Sequence, residues 1–215
     1  MILIGHRGAK GHIAENTLAS FEKALQLNVD MIELDVFLSR DNIPVVIHDK
    51  TIDRTTSGFG LVSSFSAREL REFGIPTLQD VFQLVNNQCD INVEIKEFEA
   101  VKSILDLIGS NIFSKDKILI SSFDWNALQE VRFHDDEIRI GVLTETNLEL
   151  ALAFAKFIKA YAIHPQYKLL NKENVAQMQS QNFKVFPWTV NDQTDITFVK
   201  FLNVDGIITD YPDRI

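Results

Sequence analysis

The chain has 215 residues, of which 46% are hydrophobic and 24% are charged, proportions that fit an ordinary globular protein with a substantial core. It carries 30 acidic and 21 basic residues, for a formal net charge of −9. Because nucleic-acid phosphates are held chiefly by lysine and arginine, this balance argues against a nucleic-acid partner. The single cysteine, Cys89, excludes an internal disulfide framework and favours a reducing compartment.

The first residues lack the pattern of a secretory signal peptide, since a polar motif begins at residue 5. The most apolar later stretch, Ala151 to Ile163, is interrupted by Lys156 and Lys159 and is too short to span a bilayer. We therefore expect a cytoplasmic protein without stable membrane insertion.

Short apolar runs, which predict strands, alternate with segments of helical periodicity along most of the chain. In chain order the predicted strands are Ile2–Gly5, Met31–Leu38, Pro44–Ile47, Ile91–Lys96, Lys117–Ser121, Arg139–Leu143, Ala160–Ile163, Val185–Val190 and Gly206–Thr209. Apolar residues at helical spacing predict helices that include Leu18 to Leu25 and Leu78 to Val85. Thr77-x-x-Asp80 and Thr146-x-x-Glu149 are interpreted as capping boxes at the starts of helices.

Alternating strands and helices indicate βα units and a parallel sheet. A doubly wound sheet would usually carry a G-x-G-x-x-G fingerprint after its first strand, and the spacing of Gly5, Gly8 and Gly11 does not match it. The predicted fold is therefore an α/β protein, a (β/α)8 TIM-type barrel formed by a single domain over residues 1–215.

One segment breaks the alternation. Residues from Asp49 to Ile75 are rich in serine, threonine and glycine. They are predicted to form a short excursion after the strand that ends at His48. Long loops in compact domains are commonly functional, so this segment is expected to border a site.

Acidic residues occur at alternate positions of two predicted strands. Glu33 and Asp35 share one strand face, and Glu94 and Lys96 share a face of another. In one barrel the three carboxylates would converge near the strand C-terminal ends, at a cost on the order of several kcal/mol if unbalanced. A divalent cation with oxygen ligands, Mg²⁺ or Ca²⁺ rather than zinc, would relieve this repulsion. The alternative is that these acids are solvated or form ion pairs.

Two of the five histidines follow strands directly. His6 ends the first strand and His48 ends Pro44–Ile47, so the pair could serve as general acid and base. Asp49 could orient a neighbouring group. The other histidines, His12, His134 and His164, are interpreted as structural, although His164 also lies at a strand end and could face the same pocket.

Arg7 lies in a glycine-flanked turn immediately after His6. Arginine presents a rigid fork of donors that matches phosphate oxygens, and glycines allow close backbone approach. Lys96 could supply a second positive charge. Together with a metal and two histidines, these residues describe a site for a phosphate ester. An arginine paired structurally with an acid is the alternative for Arg7.

The chain resembles the glycerophosphodiester phosphodiesterase family in a series of motifs that occur in order between residues 5 and 212. These motifs are His6-Arg7-Gly8, Glu15-Asn16-Thr17, Glu33-x-Asp35-Val36, His48-Asp49, Arg54-Thr55-Thr56, Pro76-Thr77-Leu78, Glu94-x-Lys96, Trp188-Thr189-Val190-Asn191 and Asp205-Gly206-Ile207-Ile208-Thr209-Asp210-x-Pro212. Each motif is weak alone, but the ordered set is highly specific.

The resemblance implies a (β/α)8 barrel that hydrolyses small-molecule glycerophosphodiesters to sn-glycerol 3-phosphate and an alcohol. It implies proton transfer by two histidines, a divalent metal cation, phosphate contacts from two basic residues, and an aromatic pocket wall. The residues concerned are His6 and His48 for proton transfer, Glu33, Asp35 and Glu94 for the metal, Arg7 and Lys96 for phosphate, and Trp188 for the wall.

Two alternatives stay open. One is a lipid-directed phosphodiesterase, similar to phospholipase D or phosphatidylinositol phospholipase C, for which the sequence shows no membrane-facing element. The other is a barrel that binds phosphodiesters without catalysis, which loss of a histidine or carboxylate would have indicated.

Overall fold

The computed structural model describes residues 1–215, in which strands and helices alternate. The strands are β1 (Ile2–Gly5), β2 (Met31–Leu38), β3 (Pro44–Val46), β4 (Asp90–Ile95), β5 (Ile118–Ser122), β6 (Arg139–Thr144), β7 (Ala162–Pro165), β8 (Lys184–Val185) and β9 (Gly206–Thr209). The helices are α1 (Leu18–Gln26), α2 (Ala67–Glu72), α3 (Leu78–Val85), α4 (Ala100–Gly109), α5 (Trp125–His134), α6 (Leu148–Phe157), α7 (Lys172–Ser180) and α8 (Gln193–Phe201).

All strands except β3 run parallel, in the order β8-β7-β6-β5-β4-β2-β1-β9. The two ends of this sheet are joined by backbone hydrogen bonds. Asp205 N donates to Val185 O at 3.2 Å, Ile208 N to Pro187 O at 3.0 Å, and Val190 N to Ile208 O at 3.0 Å. The sheet therefore closes on itself, and the predicted (β/α)8 barrel is confirmed.

The alternation of side chains along the strands builds two apolar layers. Ile32, Leu34 and Val36 of β2 point outward into a core of 46 buried residues between the sheet and the helices. A smaller cluster fills the barrel interior below its C-terminal mouth and comprises Ile4, Met31, Leu119, Ala162, Phe186 and Ile208. Several inward positions nearer the mouth are polar, among them Glu33, Glu94 and Ser121, and they lie at the end of the barrel where the loops after the strands surround a cavity.

The predicted strand Pro44–Ile47 is real but is not a barrel strand. β3 pairs antiparallel with the outer part of β2, with Val46 opposite Val36 and Pro44 opposite Leu38. The turn between them, residues 39–43, is too short for the helical crossover that a parallel strand requires. β3 is therefore not one of the parallel barrel strands: a hairpin returns the chain to the barrel mouth, where His48 follows it.

Two other strand predictions differ from the structure by more than one residue at an end. The strand predicted over Val185–Val190 ends at Val185, because Pro187 has no amide hydrogen for a strand ladder. The strand predicted over Ala160–Ile163 lies two residues later, at Ala162–Pro165, so His164 lies within β7.

The excursion from Asp49 to Ile75 packs on β2 and β3 through a small core, a separate cluster of eight buried residues to which the excursion contributes Ile52, Val62, Ala67, Leu70 and Ile75. A bridge between Thr51 and Leu61 folds the segment back on itself before α2. The predicted excursion after His48 is confirmed, and it is a packed unit.

One of the two predicted capping boxes is present. Thr77 Oγ1 accepts from Asp80 N at 3.1 Å, and Thr77 N donates to Asp80 Oδ2 at 2.9 Å. The box predicted at Thr146 is wrong, because Asn147 caps α6 by accepting from Leu150 N at 2.9 Å. Asparagine is among the most favoured N-cap residues and outranks threonine. None of the helices is both long and apolar enough to cross a bilayer.

The outer core depends on aromatic packing beneath α3, which gives a stability test. Phe82 is fully buried and stacks on Phe113 with ring centroids 5.1 Å apart. We expect Phe82→Ala to lower the free energy of unfolding by about 3–5 kcal/mol, measured by urea denaturation. Phe133→Ala is the matched control, since this ring is 82% exposed. Equal midpoints for the two variants would contradict the assignment of Phe82 to the core.

Candidate active site

A cavity of about 100 Å³ opens at the C-terminal mouth of the barrel. Its lining contains seven of the eight candidate residues together with neutral side chains: His6, Arg7, Glu33, His48, Asn92, Glu94, Lys96, Ser121, Phe123, Leu143, Trp188, Thr189 and Ile208. Asp35, the eighth candidate, is buried directly behind this lining at 1% exposure. The structure thus brings all eight residues to one place.

The three acids converge as the alternation predicts. Glu33 and Asp35 point inward from β2, and Asp35 lies opposite Glu94 of β4 in the parallel register. One carboxylate oxygen from each of the three lies within 4.8 Å of the others, and all three residues are buried. Such a group of like charges needs positive charge nearby to remain ionised.

Two cations provide part of that balance. Lys96 Nζ lies 2.6 Å from Glu94 Oε1 and 3.3 Å from Asp35 Oδ1. Arg7 Nε lies 3.1 Å from Asp35 Oδ2, while Arg7 N donates to Glu33 Oε2 at 2.8 Å. Arg7 has φ of +50° in the tight turn after β1, which aims both its amide and its guanidinium at the acids.

The balance is incomplete. Burial, with the neighbouring Asp35 and Glu94 charges, raises the pKa of Glu33 well above its usual range, and burial and Asp35 raise the pKa of Glu94 to about 7. Burial would also raise the pKa of Asp35, but the charges of Lys96 and Arg7 lower it. Glu33 Oε1 is buried with no hydrogen-bond partner. A divalent cation fits these residues, because buried oxygens of three carboxylates face one another with an uncompensated negative charge.

Each candidate histidine is held by a carboxylate at the same ring nitrogen. His6 Nδ1 lies 2.6 Å from Asp210 Oδ1, and Asn191 Nδ2 donates to the other oxygen of Asp210 at 2.8 Å. His48 Nδ1 lies 2.6 Å from Asp49 Oδ1. Such a bond selects the tautomer with the proton on Nδ1 and leaves Nε2 free to exchange a proton.

Burial lowers the pKa of both imidazoles, and the adjacent carboxylates offset this in part. His6 lies deep, with its Nε2 only 3.9 Å from Glu33 Oε2, whereas the side chain of His48 is about one third exposed. The two rings therefore approach the acidic cluster from different depths. A neutral imidazole in either position can accept a proton at Nε2.

Trp188 forms an aromatic wall with a residue that the sequence did not single out. Its ring packs edge-on against Phe123 with centroids 5.4 Å apart, and its Nε1 donates to His164 O at 2.8 Å. Phe123 follows β5, and nothing in its local sequence distinguishes it from the other phenylalanines.

His164 does not line the cavity. It is fully buried beside the ring of Phe186, and burial lowers its pKa to about 3. Its ring occupies the space that a side chain at position 141 would need, which is why glycine stands there. The structural interpretation of His164 therefore agrees with its position, and its neutral ring is part of the barrel packing.

Sequence reasoning missed four polar residues of the site. Asp210 occurs in the last motif without an assigned role, although it orients His6. Asn92 and Ser121 line the cavity, and their Oδ1 and Oγ atoms have no partners. Asn16 donates to Asp35 Oδ2 at 2.9 Å. The alternation of side chains along β4 and β5 could have identified Asn92 and Ser121. Each lies an even number of positions from other residues that point into the barrel, and therefore on the same face of its strand.

The fold and its mouth are those of a (β/α)8 barrel with a charged, partly buried site at the C-terminal ends of its strands, where barrel enzymes place their chemistry. The sequence profile of the Glycerophosphoryl diester phosphodiesterase family matches residues 6–214. The chain belongs to this family, and the resemblance seen in the sequence is confirmed.

Individual relatives agree over the whole length. A glycerophosphodiester phosphodiesterase of Caldanaerobacter subterraneus is 35% identical over 232 residues, covering 100% of this chain and 96% of that protein. The crystal structure of the Thermotoga maritima glycerophosphodiester phosphodiesterase has a TM-score of 0.89 at 30% identity, covering 99% and 96% of the two chains. An Oleispira antarctica phosphodiesterase in complex with the product sn-glycerol-3-phosphate has a TM-score of 0.92 at 27% identity, covering 100% and 95%.

The acidic cluster predicts a response to divalent cations that a binding measurement can check. We expect Mg²⁺ or Ca²⁺ to raise the Tm of chelator-treated protein, because a ligand that binds only the folded state stabilises it by about 2.7 kcal/mol at a hundredfold excess over Kd. Glu94→Gln should reduce this shift while leaving the metal-free protein at least as stable, since it removes one of three repelling charges.

Glu22→Gln is the matched control for the metal titration, because Glu22 is exposed and lies on α1. It should show the wild-type shift. A metal-free Glu94→Gln protein that unfolds far more easily than wild type would assign Glu94 to a structural ion pair with Lys96 instead.

Proposed function

We propose that this protein hydrolyses glycerophosphodiesters to sn-glycerol 3-phosphate and an alcohol, with the help of a divalent cation. The observation that carries the proposal is the pair of imidazoles, each fixed through Nδ1 by its own carboxylate, beside a cluster of acids and two cations. Family membership and the product complex of the Oleispira antarctica relative support it.

Glu33, Asp35 and Glu94 would hold the cation, and their oxygen-only donor set suits Mg²⁺ or Ca²⁺. A divalent cation bound there would supply Lewis acidity, stabilising negative charge on the phosphate oxygens. The acids themselves contribute a fixed, largely buried anionic patch that orients Arg7 and Lys96 before substrate arrives.

Arg7 and Lys96 bind the phosphate group in this proposal. Both cations are already desolvated and held by buried carboxylates, so little side-chain entropy is lost when an anion binds. The guanidinium of Arg7 is anchored by Glu15 Oε1 at 2.7 Å and by Asp35, which fixes its plane. Trp188 lines the cavity beside them and packs on the apolar part of the substrate.

His6 and His48 act as the acid–base pair. One neutral Nε2 accepts the proton of the glycerol 2-hydroxyl as its oxygen bonds to phosphorus, and the other imidazole, protonated at the start, donates its Nε2 proton to the oxygen of the departing alcohol as the P–O bond breaks. Water then opens the resulting cyclic phosphate to sn-glycerol 3-phosphate with the two histidines in exchanged roles, which returns both imidazoles to their starting protonation states. Asp210 and Asp49 each stabilise the imidazolium beside them, because the carboxylate accepts a hydrogen bond from Nδ1–H and carries the opposite charge.

We also propose that residues 1–215 act as a single catalytic domain in the cytoplasm, without a nucleic-acid partner. The barrel core, the formal charge of −9 and the single buried cysteine support this. Assays of glycerophosphocholine and lysophospholipid turnover distinguish this function from the lipid-directed and non-catalytic alternatives.

Release of sn-glycerol 3-phosphate from glycerophosphocholine, measured with and without chelator, tests the proposed activity directly. We expect turnover that chelator abolishes and added Mg²⁺ or Ca²⁺ restores. Turnover that survives exhaustive chelation would reject the metal assignment. Turnover of lysophospholipid alone would favour the lipid-directed alternative, and phosphodiester binding without turnover would favour the non-catalytic one.

Substitution of each histidine tests the proton-transfer pair. We expect His6→Ala and His48→Ala each to lower kcat by about two or more orders of magnitude, as general acid–base groups typically do. The double variant should lose little beyond the worse single one, because groups that act as a unit are not additive. His134→Ala is the matched control, since His134 is exposed and pairs with Glu130 on α5. Wild-type kcat in either single variant, with metal binding retained, would make that histidine structural.

A further inference from the structure

Arg54 lies in the excursion, and the proposed chemistry leaves it without a role. Its guanidinium contacts two acids with three donors. Nε donates to Asp49 Oδ2 at 2.6 Å, while Nη1 and Nη2 donate to Glu15 Oε2 and Oε1 at 3.0 and 2.7 Å. Arg54 therefore holds Glu15 with two bonds and Asp49 with a third, using both edges of a planar group.

The two acids that Arg54 joins each hold a different residue of the site. The other oxygen of Asp49 holds His48 Nδ1 at 2.6 Å. Glu15 Oε1 also accepts from Arg7 Nη1 at 2.7 Å. One guanidinium thus connects the proposed proton-transfer imidazole with the proposed phosphate-binding guanidinium, each through one intervening carboxylate.

The excursion fixes the position of this connecting group. Ile52, two residues before Arg54, is fully buried in the small core of the excursion, and its amide donates to Gly60 O at 3.0 Å. Thr56, two residues after Arg54, returns a side-chain hydrogen bond to Ile52 O at 2.8 Å. The backbone on both sides of Arg54 is therefore anchored, although its own side chain is 47% exposed.

The other arginines near this segment make no such connection. Arg71 donates twice to Asp80, and Arg40 pairs with Glu69, and neither acid contacts a residue of the cavity. A lysine at position 54 could not replace the connection, because a single ammonium offers a point charge rather than a planar fork that reaches two carboxylates.

We propose that Arg54 is a positioning residue that aligns His48 with Arg7 through Asp49 and Glu15; this rests on the proposed function. Without the guanidinium, Asp49 is free to rotate at the protein surface and His48 loses its fixed orientation. Glu15 loses two hydrogen bonds and is then restrained only by Arg7 itself and by Lys10, 3.6 Å away, so it holds the guanidinium of Arg7 less firmly. Misplacement of a reacting group by about 1 Å can cost roughly a hundredfold in rate.

Kinetics of glycerophosphocholine hydrolysis test the role. We expect Arg54→Gln to lower kcat by roughly ten- to a hundredfold and to raise KM several-fold, with the larger effect on kcat. Arg54→Lys should remain impaired in kcat despite its conserved charge. Arg71→Gln, which breaks a surface ion pair of the same region, is the matched control and should retain wild-type kinetics. Wild-type kcat in Arg54→Gln, or full recovery in Arg54→Lys, would overturn the proposal.

A double-variant cycle separates positioning from general destabilisation. In a His48→Ala background, Arg54→Gln should lower the remaining kcat by less than about threefold, because the group it orients is absent. Arg54→Gln should still weaken the binding of inorganic phosphate in that background, because Arg54 affects phosphate binding by way of Arg7 and not of His48. Losses in kcat that multiply in the double variant would show that Arg54 acts by some route other than His48 and would overturn the proposal.

Binding measurements keep this inference distinct from the proposed activity. If the wild-type protein releases no glycerol 3-phosphate, the proposed function fails, and inorganic phosphate binding then decides the role of Arg54. Phosphate should bind several-fold more weakly to Arg54→Gln than to Arg71→Gln, at equal urea midpoints and equal metal-induced Tm shifts. Equal phosphate affinity in the two variants would overturn the proposal. If Arg54→Gln does not fold, Arg54→Lys takes its place in every measurement.

Discussion

Mutual repulsion among three buried carboxylates is the constraint to which the rest of the barrel mouth responds. Glu33, Asp35 and Glu94 are brought together by strand register, and strand register cannot be relaxed without moving the sheet. The surrounding side chains therefore reduce a repulsion that the backbone cannot relieve by moving. Arg7 and Lys96 supply charge, and the remaining imbalance is what makes the site suited to a cation. The same desolvation that makes the cluster costly strengthens its attraction for positive charge, whether from Arg7 and Lys96 or from a cation.

The parts of this arrangement that the sequence predicted are those governed by short-range periodicity. Strands β1, β2 and β9 have the bounds that apolar runs predict, and the shared face of Glu33 and Asp35 follows from a period of two. Parallel strands with intervening helices leave few topologies, so a barrel and the convergence of acids at its C-terminal end follow from the pattern. Periodicity and strand ends gave candidate roles for the acids and histidines with alternatives left open, and the family resemblance narrowed those candidates to one set of expected roles.

The parts that the sequence did not predict depend on contacts between distant or irregular segments. The only local feature that distinguishes β3 from a barrel strand is the short turn before it. In the same way, β8 ends before Pro187 although the apolar residues continue to Val190. Phe123 follows β5 and Asp210 follows β9, and both belong to the site because the loops after these two strands meet at the barrel mouth. Side-chain partners of this kind are set by tertiary packing, on which propensity carries no information.

The bond between His6 and Asp210 joins residues 204 positions apart in the chain. By contrast, β2, β3 and the excursion, which carry two of the acids together with His48 and Asp49, lie within a continuous stretch from Met31 to Ile75. Contacts local in sequence form at low loop-closure entropy, whereas those linking the two ends of the chain wait for the whole ring to assemble. One half of the candidate site can therefore take shape early in folding. The other half exists only in a chain whose first and last strands have met, so a nascent or partly unfolded molecule presents the acidic half without its second imidazole in place.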